Sequence, residues 1–149
     1  MTPPSGHFKE DFYAEQPTLQ WLAELGWEVR HGPDLGPDGS APERDSWRDV
    51  VLIDRLRSAV AGLNPMLPDD AIEQVVQQVL TTTSPNVIED HASFHRLLVD
   101  QVPVTYQDVD GVERSDRARL VDFERPQAND FLALNQFTVI VGSKNRRPD

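Results

Sequence analysis

The hydrophobic periodicity of this chain changes near residue 100, and that change limits the possible folds more than any other feature. Before residue 100, apolar residues recur at intervals of three and four, as in amphipathic helices. After it, the runs PVTYQD, ARLVDFE and FTVIVG are short, rich in β-branched and aromatic residues, and bounded by turn residues. Helices followed by strands are typical of an α+β fold. Because three short runs form only a small sheet, we expect N-terminal helices packed on a small, incomplete mixed β-sheet.

Four helices are predicted from the spacing of apolar residues. The first begins near residues 15 to 17, because Pro17 is tolerated only in a first turn, and it stops at Gly26. A short strand with Trp27 and Val29 follows. The second helix covers SWRDVVLIDRLRSAVAGLNP and the third covers DDAIEQVVQQVLTT. The third has a complete apolar face, made of Ile72, Val75, Val76, Val79 and Leu80. The fourth covers NVIEDHASFHRLLVD and directs inward Ile88, Phe94, Leu97 and Leu98.

Composition excludes several classes of protein. A chain of 149 residues fits a single domain over residues 1–149. The absence of cysteine rules out disulfides and thiolate metal sites, and it fits a reducing compartment. The start MTPPSGHFKEDF lacks the apolar segment of a signal peptide, and no apolar run approaches the ~20 residues that span a bilayer. We therefore expect a cytoplasmic protein.

The charge of the chain is acidic overall but locally basic near its C-terminal end. A net charge of −11 argues against a protein that coats DNA, because binding to phosphates requires Lys and Arg. Lys144, Arg146 and Arg147 nevertheless form a basic edge beside Asp149. The charge therefore excludes general DNA coating, but it leaves room for a local contact with phosphate.

Two groups of polar residues are candidates for chemistry, and each has a structural interpretation. His91 and His95 have the i, i+4 spacing of zinc ligands on a helix, but residue 92 is alanine, so the general base of an HExxH motif is absent. No third ligand is obvious, and packing or capping is the preferred interpretation. The segment LVDFERPQANDFLALNQFTV is dense in Asn, Asp and Pro, which are typical of turns and caps.

Motifs in a fixed order connect this chain to a known family. Residues 122–131 have the pattern DF-x-x-P-x-x-N-D-F, residues 135–139 have N-Q-F-x-V, and residues 147–149 are RPD. Residues 15–27 add E-x-x-x-L-x-x-L-x-x-L-G-W. In these motifs the chain resembles the N-terminal region of the R (restriction and motor) subunit of type I restriction enzymes, over nearly its whole length. Two positions depart from the family pattern, since His91 replaces a frequent Asn and Gln101 replaces a frequent Gly.

The resemblance implies a PD-(D/E)xK endonuclease of a restriction system. Asp149 would be a catalytic ligand of Mg²⁺ and Glu15 an auxiliary acidic ligand, while Lys144, Arg146 and Arg147 would contact DNA. In the family, a Glu-x-Lys motif and an ATP-driven motor follow the PD motif. The intact enzyme cleaves DNA in a complex with modification and specificity subunits. Neither Glu-x-Lys nor the motor occurs in these 149 residues, so we expect a truncated fragment that does not cleave DNA alone.

A non-catalytic interaction module is the alternative interpretation, because an acidic chain can mimic DNA and bind a DNA-handling protein. Such a mimic needs carboxylates along one surface with few cations between them, whereas 14 Lys and Arg residues are interspersed here. We therefore favour the nuclease fragment. An incomplete sheet would also expose strand edges and apolar surface, which predicts aggregation.

Overall fold

The computed structural model describes residues 14–81 and 87–146 of the chain. The chain divides into two compact units, of which the first comprises Met1–Val50 with Asp130–Asp149 and the second comprises Val51–Asn129. The α+β class is confirmed, with small sheets of two strands each. A single domain over residues 1–149 and a cytoplasmic location stay predictions. Within the described ranges, no helix combines the length and apolarity needed to cross a membrane.

The described elements alternate between helices and short strands. The helices are α1 (Gln16–Glu24), α2 (Ile53–Leu63), α3 (Asp69–Thr81) and α4 (Val87–Asp100). The strands are β1 (Glu28–His31), β2 (Val102–Gln107), β3 (Glu113–Ala118), β4 (Leu132–Asn135), β5 (Val139–Val141) and β6 (Lys144–Arg146). β1 and β4 pair in parallel, whereas β2–β3 and β5–β6 are antiparallel. The first unit contains α1 and the strands β1, β4, β5 and β6. The second unit contains α2, α3 and α4 with the strands β2 and β3.

In the first unit, α1 leads directly into the parallel pair β1–β4. Pro17 lies in the first turn of α1, where its missing N–H is not needed, and Gly26 follows the helix with a φ of +92°. Trp27 then stacks on Phe131 with ring centroids 4.7 Å apart, and the N–H of Glu28 donates to the carbonyl of Phe131 (2.9 Å). The predicted short strand after the first helix is confirmed as β1, whereas its partner β4 was not predicted.

The β5–β6 hairpin turns at Gly142, whose φ of +63° is a backbone conformation that glycine adopts without steric cost. The N–H of Ile140 donates to the carbonyl of Trp47 (2.9 Å). The guanidinium of Arg48 donates through Nη2 to the carbonyl of Gly142 (3.1 Å). The hairpin is thus tied to the long loop that connects β1 to α2.

The second unit is built around the apolar face of α3. Four of the five residues predicted for this face are buried, and the fifth, Leu80, is half-buried. The core cluster combines residues of α2, α3 and β2–β3, namely Val60, Ala71, Ile72, Val75, Val102, Val104 and Ala118. Each fully buried valine of this cluster removes enough apolar surface from water to contribute about 1.5–3 kcal/mol. The helical periodicity of the sequence therefore identified the core of this unit.

Side chains of α3 cover the edge of β2 that does not pair with β3. The Gln74 amide donates through Nε2 to the carbonyl of Thr105 (2.7 Å) and accepts through Oε1 from the N–H of Thr105 (3.2 Å). Gln78, one turn later, donates through Nε2 to the carbonyl of Pro103 (2.7 Å), which has no N–H to pair. Two glutamines therefore occupy the place of a third strand and protect this edge.

Three details of the sequence prediction were wrong. The second helix begins at Ile53 rather than at residue 46, because residues 46–49 form a turn in which the N–H of Ser46 donates to the carboxylate of Asp49 (2.9 Å). The run ARLVDFE is not a strand, since β3 ends at its first residue and a turn follows. Phe94 of α4 is exposed, although Leu97 packs against the core as expected. The side chain of Ile88 lies outside the described residues.

Candidate functional site

Glu15, the predicted auxiliary acidic ligand, lies at the N-cap position of α1. Its side chain is half-buried, and it makes no cap hydrogen bond to the first N–H groups of the helix. The carboxylate is therefore not committed to capping, which is the usual structural role of an acidic residue at this position.

The predicted basic edge coincides with β6 and the residues that follow it. Lys144 begins β6 and is exposed, and the backbone of Arg146 ends it. Arg147 and Asp149 lie outside the described residues, and so does the side chain of Arg146. The RPD motif at residues 147–149 thus follows β6 directly in the sequence. The roles of all five predicted site residues stay predictions.

Among the described residues, no group of three or more His, Asp or Glu side chains is arranged to hold a metal ion. His91 and His95 are both exposed on α4. Neither histidine is therefore packed in the core, and the interpretation of this pair as zinc ligands remains one that the sequence alone disfavours.

The dense polar segment after β3 is a hydrogen-bonded turn centred on Asp122, whose side chain is only 2% exposed. Its Oδ1 accepts from the N–H groups of Glu124 (3.0 Å) and Arg125 (2.9 Å), and its Oδ2 accepts from the Arg125 guanidinium. The N–H of Arg125, followed by its guanidinium, holds the pKa of the Asp122 carboxyl below its usual value. Asn129 closes the turn, because its Oδ1 accepts from the N–H of Asp122 (2.7 Å) and its Nδ2 donates to the Asp122 carbonyl (2.9 Å). The structural interpretation of Asp122 and Asn129 is confirmed.

A polar pair at the carboxyl ends of β1 and β4 was missed by sequence reasoning. His31 Nδ1 lies 3.0 Å from Asn135 Oδ1, and because an amide oxygen can only accept, Nδ1 is the donor in this pair. The residue that follows each of these two strands is constrained by its backbone surroundings. A Cβ on Gly32 would lie 2.4 Å from the carbonyl oxygen of Asn135, and Gln136 has a φ of +52°. The available signal was a histidine followed by glycine, which is too common to single out.

Comparison with known proteins identifies the family. The model of the family described as "Type I restriction enzyme R protein N terminus" matches residues 7–149. The chain therefore belongs to this family, and the resemblance noted in the sequence is confirmed.

Two curated relatives are named as endonuclease subunits. The chain is 38% identical over 125 residues to the "Type I restriction enzyme HindI endonuclease subunit" of Haemophilus influenzae, an alignment that covers 84% of this chain and 12% of the relative. It is 30% identical over 152 residues to the "Putative type I restriction enzyme MjaIXP endonuclease subunit" of Methanocaldococcus jannaschii, covering 100% of this chain and 14% of the relative. The chain thus spans about one seventh or less of each relative. No solved structure matches it significantly.

Proposed function

We propose that this chain is the N-terminal part of the nuclease region of a type I restriction enzyme R subunit, and that the intact subunit hydrolyses DNA phosphodiester bonds with Mg²⁺. The family match over residues 7–149 carries this proposal, together with two relatives whose names include "endonuclease subunit". The motifs that end in RPD at residues 147–149 supply the candidate catalytic group.

The proposed metal ligands are Asp149 and Glu15. Mg²⁺ prefers oxygen ligands and is usually held by one or two carboxylates together with water and substrate phosphate, so this donor chemistry fits the ion. Glu15 is supported by its place at the start of α1 and by the absence of a capping hydrogen bond from its carboxylate. When bound, the ion would lower the pKa of coordinated water and neutralise charge on the phosphate.

The proposed DNA contacts are Lys144, Arg146 and Arg147. Cationic side chains on and immediately after β6 would lie next to the candidate ligand Asp149 in the sequence, where they could neutralise phosphates of the substrate. Sequence recognition, ATP-driven translocation and assembly with modification and specificity subunits are proposed for the intact enzyme only. ATP binding would belong to the motor region, outside these 149 residues.

The described ion pairs argue for this proposal over a DNA mimic. Arg57 pairs with Glu73, Arg114 pairs with Asp108 (2.8 Å), and Arg125 pairs with Asp122 (3.1 Å). Cations are thus placed beside carboxylates in the second unit. A DNA mimic needs carboxylates with few interrupting cations, and this layout does not provide them.

The proposal is tested in a chimera in which residues 1–149 replace the matching segment of the Haemophilus influenzae subunit. We expect Mg²⁺-dependent cleavage of DNA by the assembled chimera, and a loss of ~10²-fold or more for Asp149→Ala and for Glu15→Gln. Glu24→Gln, an exposed substitution at the other end of α1, is the matched control and should retain activity. Full cleavage by the Asp149→Ala chimera would exclude the assigned ligand.

The 149-residue chain alone should not nick supercoiled plasmid in the presence of Mg²⁺, because it carries only part of the proposed ligand set. Gel electrophoresis of plasmid after incubation with the purified chain measures this directly. Mg²⁺-dependent nicking that disappears in Asp149→Ala would show that the ligand set is already complete within these residues.

A further inference from the structure

The connection from β1 to α2 is a long, well-structured loop. It runs from residue 32 to residue 52 and contains only one short 3₁₀ turn, Gly32–Leu35. Internal hydrogen bonds close it, including the N–H of Ala41 to the carbonyl of Asp34 (3.0 Å) and the N–H of Glu43 to the carbonyl of Leu35 (3.0 Å). Connections longer than ~12–15 residues without regular structure are uncommon in compact units and are usually functional.

The loop buries the side chain of Arg44, which is only 5% exposed. Its Cζ lies 4.9 Å from the ring centroid of Trp47 and 4.0 Å from that of Phe137, so aromatic rings contact the guanidinium. Cation–π contact of this kind offsets part of the cost of burying a charge. Since the aromatic rings contact the guanidinium, any further polar group would bind to its N–H groups.

The hydrogen bonds of Arg44 are incomplete along one edge. Nη1 donates to the carbonyl of Asp49 (3.0 Å), while Nε and Nη2 are buried and have no partner. The Asp49 carboxylate, whose charge acts on Arg44, already accepts from the N–H of Ser46 through Oδ2 (2.9 Å). Burial lowers the pKa of Arg44, and the charge of Asp49 opposes this change without cancelling it. A buried arginine with two unsatisfied donors is costly, and a bound polar group that accepted from both donors would remove this cost.

The two unpaired groups have the geometry of an oxyanion receptor. Nε–H and one Nη2–H of a guanidinium are parallel neighbours on one edge of the plane, and they match the two oxygens of a carboxylate or of a phosphate. We propose that the Nε–Nη2 edge of Arg44 binds one small free oxyanion of the phosphate or carboxylate class. Binding would complete the hydrogen bonds of the buried guanidinium. This site is independent of the proposed nuclease residues.

An anion bound to Arg44 would stabilise the contact between the loop and the segment that leads to β5. Arg44 and Trp47 belong to the loop, and Phe137 directly precedes β5. The backbone carbonyl of Trp47 also accepts from the N–H of Ile140 in β5 (2.9 Å), so the residue whose ring contacts the guanidinium is bonded to the strand through its backbone. An anion held by Arg44 would therefore stabilise the first unit and, through the hairpin, the segment that leads to residue 147.

The test is a titration of the ¹⁵N-labelled 149-residue chain with inorganic phosphate and, separately, with acetate, at constant ionic strength. In a ¹³C,¹⁵N-labelled sample of the wild type, the Nε–H resonance of Arg44 is assigned by through-bond correlation to its own side chain and backbone. We expect a saturable shift of this resonance with at least one anion, which also identifies the ligand class. A rise in Tm of roughly 3–6 °C at tenfold excess over Kd should accompany it in the wild type and be absent in Arg44→Lys. Arg48→Lys, a change in an exposed arginine of the same loop, should retain both effects.

Two results would overturn the proposal. The first is the absence of a saturable shift with either anion, which decides the question in the wild-type chain even when Arg44→Lys does not fold. The second is a shift that appears only in Asp49→Asn, since the Asp49 carboxylate would then be the natural occupant of the edge. An equal rise in Tm in the wild type and in Arg44→Lys would count against the site in the same way, because it would reflect general salt effects.

Discussion

The backbone at Gln101 is the place where one substitution should stabilise the protein. Gln101 joins α4 to β2 with a φ of +65°, a left-handed conformation that costs a residue with a side chain roughly 1–2 kcal/mol. The resemblance to the family predicts glycine at this position, and glycine adopts this conformation without the cost. Glycine also loses about 0.5–1 kcal/mol of additional chain entropy on folding. We therefore expect Gln101→Gly to stabilise the second unit by about 0.5–1 kcal/mol.

The alanine variant at the same position separates the backbone from the side chain. Gln101→Ala removes nearly as much of the side chain as Gln101→Gly but keeps the left-handed cost, so the difference between the two variants measures the backbone contribution. With an m-value of ~1–2 kcal/mol/M, the glycine variant should unfold at a urea concentration roughly 0.3–1 M higher than the alanine variant.

The assay must report on the unit that contains Gln101. All three tryptophans, Trp21, Trp27 and Trp47, lie in the first unit, so their fluorescence reports on that unit. Far-UV circular dichroism includes α2, α3 and α4 of the second unit and is the appropriate probe. A glycine variant no more stable than the alanine variant would show that the left-handed backbone carries no strain and would refute the reasoning.

Two further predictions concern the second unit. The folded pKa of Asp122 lies below its unfolded value of ~3.9, so Asp122 contributes stability that is present above pH ~4 and is lost as the pH falls through the folded pKa. Asp122→Asn should therefore lower stability at pH 7 and flatten its decline in acid, as measured by urea unfolding at several pH values with Asp110→Asn as the control for replacing a carboxyl by an amide. Replacing Gln74 and Gln78 together by valine should cost about 1 kcal/mol per lost hydrogen bond and promote association through the exposed edge of β2. Light scattering should show larger species in that double variant than in the wild type or in the control Gln77→Val. Equal particle sizes in all three proteins would mean that the glutamines do not protect the edge.

Helical periodicity predicted the core of the second unit because the information is local. The apolar face of α3 is encoded by spacing within 13 residues, and Val75 and Val76 are fully buried as that spacing requires. The strands were less predictable. β4 lies within the segment LVDFERPQANDFLALNQFTV, which is dense in polar residues, and it pairs with β1 across more than a hundred residues; no local pattern encodes such a pairing. The predicted strand ARLVDFE failed because Asp122 and Asn129 bind backbone groups that a strand would have used.

The candidate site was predicted from motifs rather than from periodicity. Residues 15–27 and 122–149 carry the family pattern, and the family match confirms the resemblance. Arg44 escaped notice because a single arginine within GSAPERDSWRDV gives no sign of burial. Its position depends on Trp47 and Phe137, and the latter is supplied by a distant part of the chain. Tertiary contacts of this kind are not encoded by spacing along one segment.

The two strands of the parallel pair have a consequence for how the polypeptide matures. His31 and Asn135 face each other although 104 positions separate them, and the whole of Val51–Asn129 is synthesised in between. When only the first half of the chain has been synthesised, Trp27 is present but Phe131, the aromatic residue on which it stacks, is not. If synthesis stopped before β4, β1 would have no strand to pair with. The second unit would already contain all of its strands and helices. The order of synthesis therefore makes β1 and Trp27 wait for β4 and Phe131 before they reach their native environment.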